Sequence, residues 1–296
     1  MKYHQVYQYA YPVSGEQPKK EFLGNVQNKQ CIFCKKGKSE TSFKKDAHII
    51  PAALGNRSLF NYDECDNCNE KIFSKYENDL LNYLQLERIL IRGKPRKGSP
   101  KYRPINSKSF IASDPGTNQV TISVDENEHV FEVIEENTQE NILLLKCNNL
   151  PPYSPVGICK TLAHMGFSVL TDDMRDRFSY LFDWLNSDLS ILPLYLDIAF
   201  IPGGGMSHVI LEIWESIPLE TSNYPIFIRL TYGHKILTFY VPINKDVDTT
   251  PPVIDFVKNV PENIKIEGTR IKIKSEEKQQ PDDCTFTIKY SSKENF

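Results

Sequence analysis

The chain has 296 residues, 40% of them hydrophobic and 25% charged, with a formal net charge of −3. That composition is ordinary for a globular protein and excludes a low-complexity or collagen-like chain. No apolar stretch approaches the ~20 residues that span a bilayer, and the first residues lack the basic-then-apolar layout of a secretion signal, so a cytoplasmic protein without a membrane partner is expected.

Residues 1–30 are polar and rich in tyrosine, with turn signals at Pro12, Gly15, Pro18 and Gly24, and no firm element is predicted there. Next come two cysteine pairs, Cys31-x2-Cys34 and Cys65-x2-Cys68. Paired thiolates at this spacing suit a closed tetrahedral Zn2+ site, which would staple the intervening loop. Four of the seven cysteines stand in these pairs, which fits metal binding in a reducing compartment better than a disulfide framework. Glu64 to Ile91 holds no Gly or Pro, and Ile72, Phe73, Tyr76, Leu80, Leu81 and Leu84 recur at helical spacing. A helix is therefore predicted from about Cys65–Cys68 to Arg92-Gly93.

Residues 93–106 carry three prolines, two glycines and five basic residues, and mark the expected boundary between a first unit (1–103) and a second (104–296). Short β-type runs come after it at 109–113, 119–124, 129–135 and 141–147, then helices over 156–170 and 172–186. Strands are predicted at 192–201, 208–214, 225–232, 236–241, 264–274 and 284–290. The second unit should thus be α+β, with a mainly antiparallel sheet and a helix pair.

Charge is distributed unevenly. Residues 1–110 hold 20 Lys and Arg against 11 Asp and Glu, whereas residues 111–296 hold 15 against 27. Only the first part is expected to meet a polyanion. Lys44 and Lys45 before the Ala47-His48 pair, and the run Arg88, Arg92, Lys94, Arg96 and Lys97, are the predicted phosphate contacts.

The residues inside the cysteine loop sharpen this reading. Lys45-Asp46-Ala47-His48-Ile49-Ile50-Pro51, then Gly55-Asn56, then Glu64-Cys65-Asp66-Asn67-Cys68-Asn69, resemble the zinc-ribbon branch of the HNH endonucleases. The resemblance covers about Cys31 to Arg92 and implies a ββα-metal fold acting on DNA. It places the first signature residue at His48, the middle one at Asn61 with Asn56 as alternative, and the third at Asn69. Its implied chemistry is phosphodiester hydrolysis with His48 as general base, Asn61 and Asn69 in the catalytic group, structural Zn2+ on the four cysteines and catalytic Mg2+ or Mn2+. By analogy of fold it also suggests prokaryotic restriction or anti-phage defence, with a homodimer or a defence-system protein as partner.

One departure stands out. Most members carry Asp, Glu or His before the first histidine, as a metal ligand, and here the residue is Ala47. Asp46, Glu70 and Glu77 are the carboxylates within sequence reach. Asp46 or Glu77 is expected to share the ion with Asn69, Glu77 because it lies about two helical turns after Asn69. The other reading is a non-catalytic zinc-ribbon DNA-binding protein with a degenerate metal site.

Overall fold

A computed structural model describes residues 2–91, 100–104, 106–114, 119–125, 127–148, 150–187, 191–203, 205–217, 222–254, 266–281 and 284–289. In chain order the strands are β1 (Lys2–Pro12), β2 (Glu21–Leu23), β3 (Ala47–His48), β4 (Leu59–Asn61), β5 (Lys101–Tyr102), β6 (Phe110–Asp114), β7 (Gln119–Ser123), β8 (Phe131–Asn137), β9 (Ile142–Cys147), β10 (Leu194–Phe200), β11 (Met206–Ile217), β12 (Ile226–Gly233), β13 (Lys235–Val241), β14 (Glu267–Ile273) and β15 (Cys284–Lys289). The α-helices are α1 (Ser74–Tyr83), α2 (Gln85–Leu90), α3 (Pro155–Val169), α4 (Asp172–Arg177) and α5 (Ser179–Asn186). The class is α+β.

Six strands form an antiparallel sheet in the order β1-β11-β12-β13-β10-β14. Its central strands alternate large apolar groups toward α3, among them Ile226, Ile228, Leu230, Leu237 and Phe239, all buried. Two smaller sheets, β5-β6-β7 and β15-β9-β8, enclose a second core with Leu86 and Ile89 of α2. The third, β2-β4-β3, carries the candidate site.

β1 corrects the expectation that residues 1–30 hold no firm element. It pairs with β11 from Lys2↔Ile217 to Pro12↔His208, with a bulge between Gln5 and Tyr7. Its period-two signal is carried by Tyr7, Tyr9 and Tyr11, so apolar counting passes over it. The helix expected from Cys65 to Arg92 also divides: a π-helical stretch, Cys68–Phe73, leads into α1, and a break at Leu84 separates α1 from α2. Residues 172–186 likewise form α4 and α5, parted at buried Phe178.

α3 lies between the large sheet and α1, and nearly all of it is buried. Ser154 caps it by accepting from the Gly157 amide at 3.3 Å. Gly157 allows α1 to come this close: a Cβ there would stand 2.1 Å from the Asp79 carboxylate, which accepts from the Ser154 amide. The main core runs without interruption from Cys31, Ile49 and Phe73 through α3 to Ile213 and Ile273. Residues of both expected units, 1–103 and 104–296, thus share it.

A buried histidine–carboxyl pair crosses that core. His164 Nε2 of α3 stands 2.9 Å from Glu64 Oε2, with both side chains at most 1% exposed. Phe73 stacks on the imidazole at 4.0 Å. Removing one partner of such a pair strands the other, at a cost of about 3–5 kcal/mol, whereas an apolar replacement of both can be nearly neutral. Glu64→Ala should therefore lower stability in urea by about that amount. The Glu64→Leu/His164→Phe double variant should recover most of it; a double variant as unstable as the single would show that the pair is not the cause.

A second link joins α2 to the β12–β13 turn. Glu87 Oε2 accepts from the His234 amide and lies 3.0 Å from His234 Nδ1, while His234 Nε2 faces the Gly203 carbonyl at 3.1 Å. Both ring partners are acceptors, so the doubly protonated ring satisfies them best. The hydrogen bond to Glu87 is the main reason that the His234 pKa lies above its ordinary value, against partial burial. A raised folded-state pKa gives stabilisation that is full below the unfolded value of ~6.5 and is lost as pH rises through the folded value. The thermal midpoint should fall over that interval, and His234→Asn should flatten the fall. An unchanged pH profile in the variant would exclude this origin.

Candidate active site

The zinc cage is the most sharply defined feature. Cys31 Sγ and Cys68 Sγ stand 3.7 Å apart, as do Cys34 Sγ and Cys65 Sγ, and all four sulfurs lie within 4.8 Å of one another. A tetrahedron with Zn–S of ~2.3 Å has sulfurs about 3.8 Å apart, so the spacing fits the ion. Three of the thiols are buried and Cys34 is partly exposed. Crowding makes the thiols compete for charge: contact with Cys68 pulls Cys31 down to about 5, and the same contact pushes Cys68 far up. A divalent cation resolves that competition by holding all four as thiolates.

Asp66, inside the second pair, ties the cage to the segment before β3. Its carboxylate accepts from the Ser42 hydroxyl and from the Lys44 and Lys45 amides. Against burial, which raises it, these bonds hold Asp66 below the usual carboxylate range. The cage and the β3 strand are thereby placed with respect to each other.

β3 pairs antiparallel with β4, Ala47 opposite Asn61 and His48 opposite Phe60. Successive strand residues face opposite sides, so His48 and Asn61 leave different faces of this sheet. His48 is half-buried, its ring against Phe60 at 4.7 Å. Ala47 is 1% exposed and faces the core. A carboxylate at that position would be buried without solvent, which accounts for the methyl group.

His48, Asp46 and Asn69 line one open cavity of about 780 Å3. The structure thus brings these three expected residues together. Lys45 and Glu70 line it too and form an ion pair, and Lys20 and Arg57 complete its charged rim. Asp46 is exposed and lies directly before β3, two residues ahead of His48.

Other expected residues lie elsewhere. Asn61 is buried and accepts from the Asp63 amide at 2.8 Å. Asn56, the alternative, is fully buried and ties the loop between β3 and β4. Its amide donates to the Ile50 and Leu59 carbonyls, and its oxygen accepts from the Ser58 and Leu59 amides. Asn56 also borders the cavity.

Glu77 does not line the cavity. It lies within the field of Glu64 and His164, and burial pushes its carboxyl up to about 7. Arg88 is turned inward: its Nε donates to the Ala53 carbonyl at 3.3 Å, and burial lowers its pKa. Lys44 is exposed, while Arg92, Lys94, Arg96 and Lys97 lie outside the described residues. Sequence reasoning passes over Lys20 and Arg57. Lys20 reaches the cavity only because β2 pairs with β4 in parallel register, a contact with no local signal. Arg57 stands directly after Asn56, and that adjacency is a usable cue.

Asp46, Asn69 and Glu70 bring oxygen donors to the cavity, the donor type that a hard divalent cation takes. Among the described residues, the cysteine quartet is the one group of three or more His, Cys, Asp or Glu whose ligand atoms converge. The cavity is therefore not a second protein-only cage. Among the described residues no helix is long and apolar enough to cross a membrane.

Residues 31–84 match a family model described as HNH endonuclease. No curated protein and no solved structure matches the chain.

Proposed function

Because residues 31–84 match the HNH endonuclease model, we propose that the chain is a metal-dependent endodeoxyribonuclease in which His48 is the general base. One observation carries the reading: His48, Asn69 and the carboxylates of Asp46 and Glu70 line a single solvent-open cavity rimmed by Lys20, Lys45 and Arg57. Hydrolysis of a phosphodiester needs a group to take a proton from water, and compensation of charge on phosphorus and leaving oxygen.

Imidazole is suited to the proton transfer near neutrality. Phe60 supports one side of the His48 ring, and the Asn56-tied loop holds β3 against β4. The three cations draw the phosphate backbone into the cavity without reading sequence. Asp46 and Asn69, with Glu70, would hold Mg2+ or Mn2+, which supplies Lewis-acid stabilisation of developing negative charge. Zn2+ on the four cysteines is structural in this reading.

Ala47 favours a second reading, a DNA-binding ribbon without catalysis, because the usual ligand position faces the core. Plasmid DNA incubated with the protein and Mg2+ or Mn2+, against a His48→Ala control, separates the two. Cleavage lost in the control supports the enzyme; salt-sensitive binding without cleavage selects the ribbon. A role in restriction or anti-phage defence, and a dimer or protein partner within it, extend the proposal by fold-level analogy. Challenge of expressing cells with phage would test it, since equal plaque numbers with and without His48 would remove that role.

A further inference from the structure

His48, Phe60 and Phe22 stand in one register row across β3, β4 and β2, so their side chains leave the same face of this sheet. Phe22 stacks on Phe60 at 4.8 Å and on Tyr62 at 4.6 Å, with interplanar angles of 19° and 14°. The three rings form a ladder that starts beside His48 and leads away from the cavity. A cation sits at each end. Lys20 Nζ lies 5.5 Å from the Phe60 centroid, and Lys29 Nζ lies 4.9 Å from that of Tyr62 and 5.7 Å from that of Phe43.

The ladder explains why two lysines are held here. Phe22 is stacked on both sides, so no base can intercalate at that ring, and the rings serve as a rigid apolar backing. Attraction to a ring face, about 0.5–1 kcal/mol at an exposed site, orders Lys20, and part-buried Lys29 also donates to the Phe43 carbonyl at 3.5 Å; neither contact neutralises the ammonium charge. Asp63, which feels the Lys29 charge, is occupied by two bonds from the Asn25 amide. Lys20 lies within about 10 Å of the His48 ring by way of Phe60. Consecutive phosphates of one strand advance about 3.4 Å each along a duplex axis, so Lys20 falls within a few phosphates of the reacting one. Both lysines precede residues 31–84, the part that matches the family model.

We infer that Lys20 and Lys29 are phosphate contacts that define the path of the nucleic-acid strand flanking the scissile bond, along the Phe60–Phe22–Tyr62 ladder. This rests on the nuclease reading, and it adds a direction to the bound strand: from His48, past Lys20, toward Lys29. The two lysines are positioning residues, since neither reaches the reacting atoms through any contact in the structure.

The test is binding of a short duplex oligonucleotide to the His48→Ala chain, without added divalent ion, across a series of salt concentrations. Each phosphate contact contributes ~0.9 to the slope of log affinity against log salt on duplex DNA, and ~0.7 on a single strand. Lys20→Gln and Lys29→Gln should each make the slope shallower by about that amount, and the double variant by about twice as much. Lys272→Gln, on β14 at the far edge of the six-stranded sheet, should leave it unchanged. DNA bound with an unchanged slope in the double variant overturns the path and leaves the nuclease reading standing. If the His48→Ala chain binds no DNA, the path is overturned as well, and plasmid cleavage by the wild-type protein then decides the nuclease reading alone.

Discussion

Stripping zinc from the folded protein should unfold residues 31–84 and loosen α3 with them. Structural zinc contributes about 10–16 kcal/mol of apparent binding free energy in small zinc-folded peptides, comparable with the whole stability of a typical domain. Regular structure between the cysteine pairs is sparse: β3 and β4 are two and three residues long, and the 3-10 turn between them has three residues. Cys31, Cys65 and Cys68 are themselves core residues, packed with Phe33 and Phe73, and both rings lie against His164 of α3. Loss of the metal would leave four crowded, unligated sulfurs at the centre of that packing. A strong chelator should release one zinc per chain, with near-ultraviolet circular dichroism collapsing in step. Cys65→Ser should mimic it in the absence of chelator. A metal-free protein with unaltered melting and unaltered amide-exchange protection in residues 31–84 would refute the structural role.

This is also the part of the chain most legible from its residues. Two C-x2-C pairs limit where the sulfurs can go, and a closed four-thiolate site leaves the intervening loop few arrangements. His48 and Asn69 are therefore brought to one cavity by local constraint, as are Asp46 and Glu70 beside them. Strands and helices of the second part are readable from periodicity, since β10 to β13 are rich in buried apolar residues at strand spacing.

Where residue counting depends on phase, it fails for identifiable reasons. Ordinary helical turns put Glu77 with Asn69, but Cys68–Phe73 is π-helical, and its wider i→i+5 turns rotate the rest of the helix. Glu77 is carried round toward His164 instead. Closeness to Cys65 favours Asn61 over Asn56, yet on β4 it sits one residue from Phe60 and so faces away from His48. β1 and Lys20 depend on long-range pairings, with β11 and, through β2, with β4. Nothing local announces such contacts.

His48→Ala should remove cleavage of DNA while leaving the protein folded. A positioned general base contributes typically 10²–10⁴ in rate, so the loss should fall in that range at saturating metal ion. The ring is half-buried at the cavity surface and stands against Phe60, which lies outside the main core cluster, so truncation should leave the cage and that core in place. Asn56→Ala provides the contrast. It deletes four hydrogen bonds inside the β3–β4 loop, taking this partner from the Ile50 carbonyl and from the Ser58 and Leu59 amides, while the Leu59 carbonyl keeps the Ile49 amide. Unsatisfied buried polar groups cost roughly 1–3 kcal/mol each, with partial relief wherever water enters. Asn56→Ala should thus lose stability and activity together, whereas His48→Ala loses activity at an unchanged melting temperature and unchanged DNA affinity. A His48→Ala protein that still cleaves at the wild-type rate would assign the proton transfer to another group. One that neither melts normally nor binds DNA would mean that the imidazole supports the fold rather than the reaction.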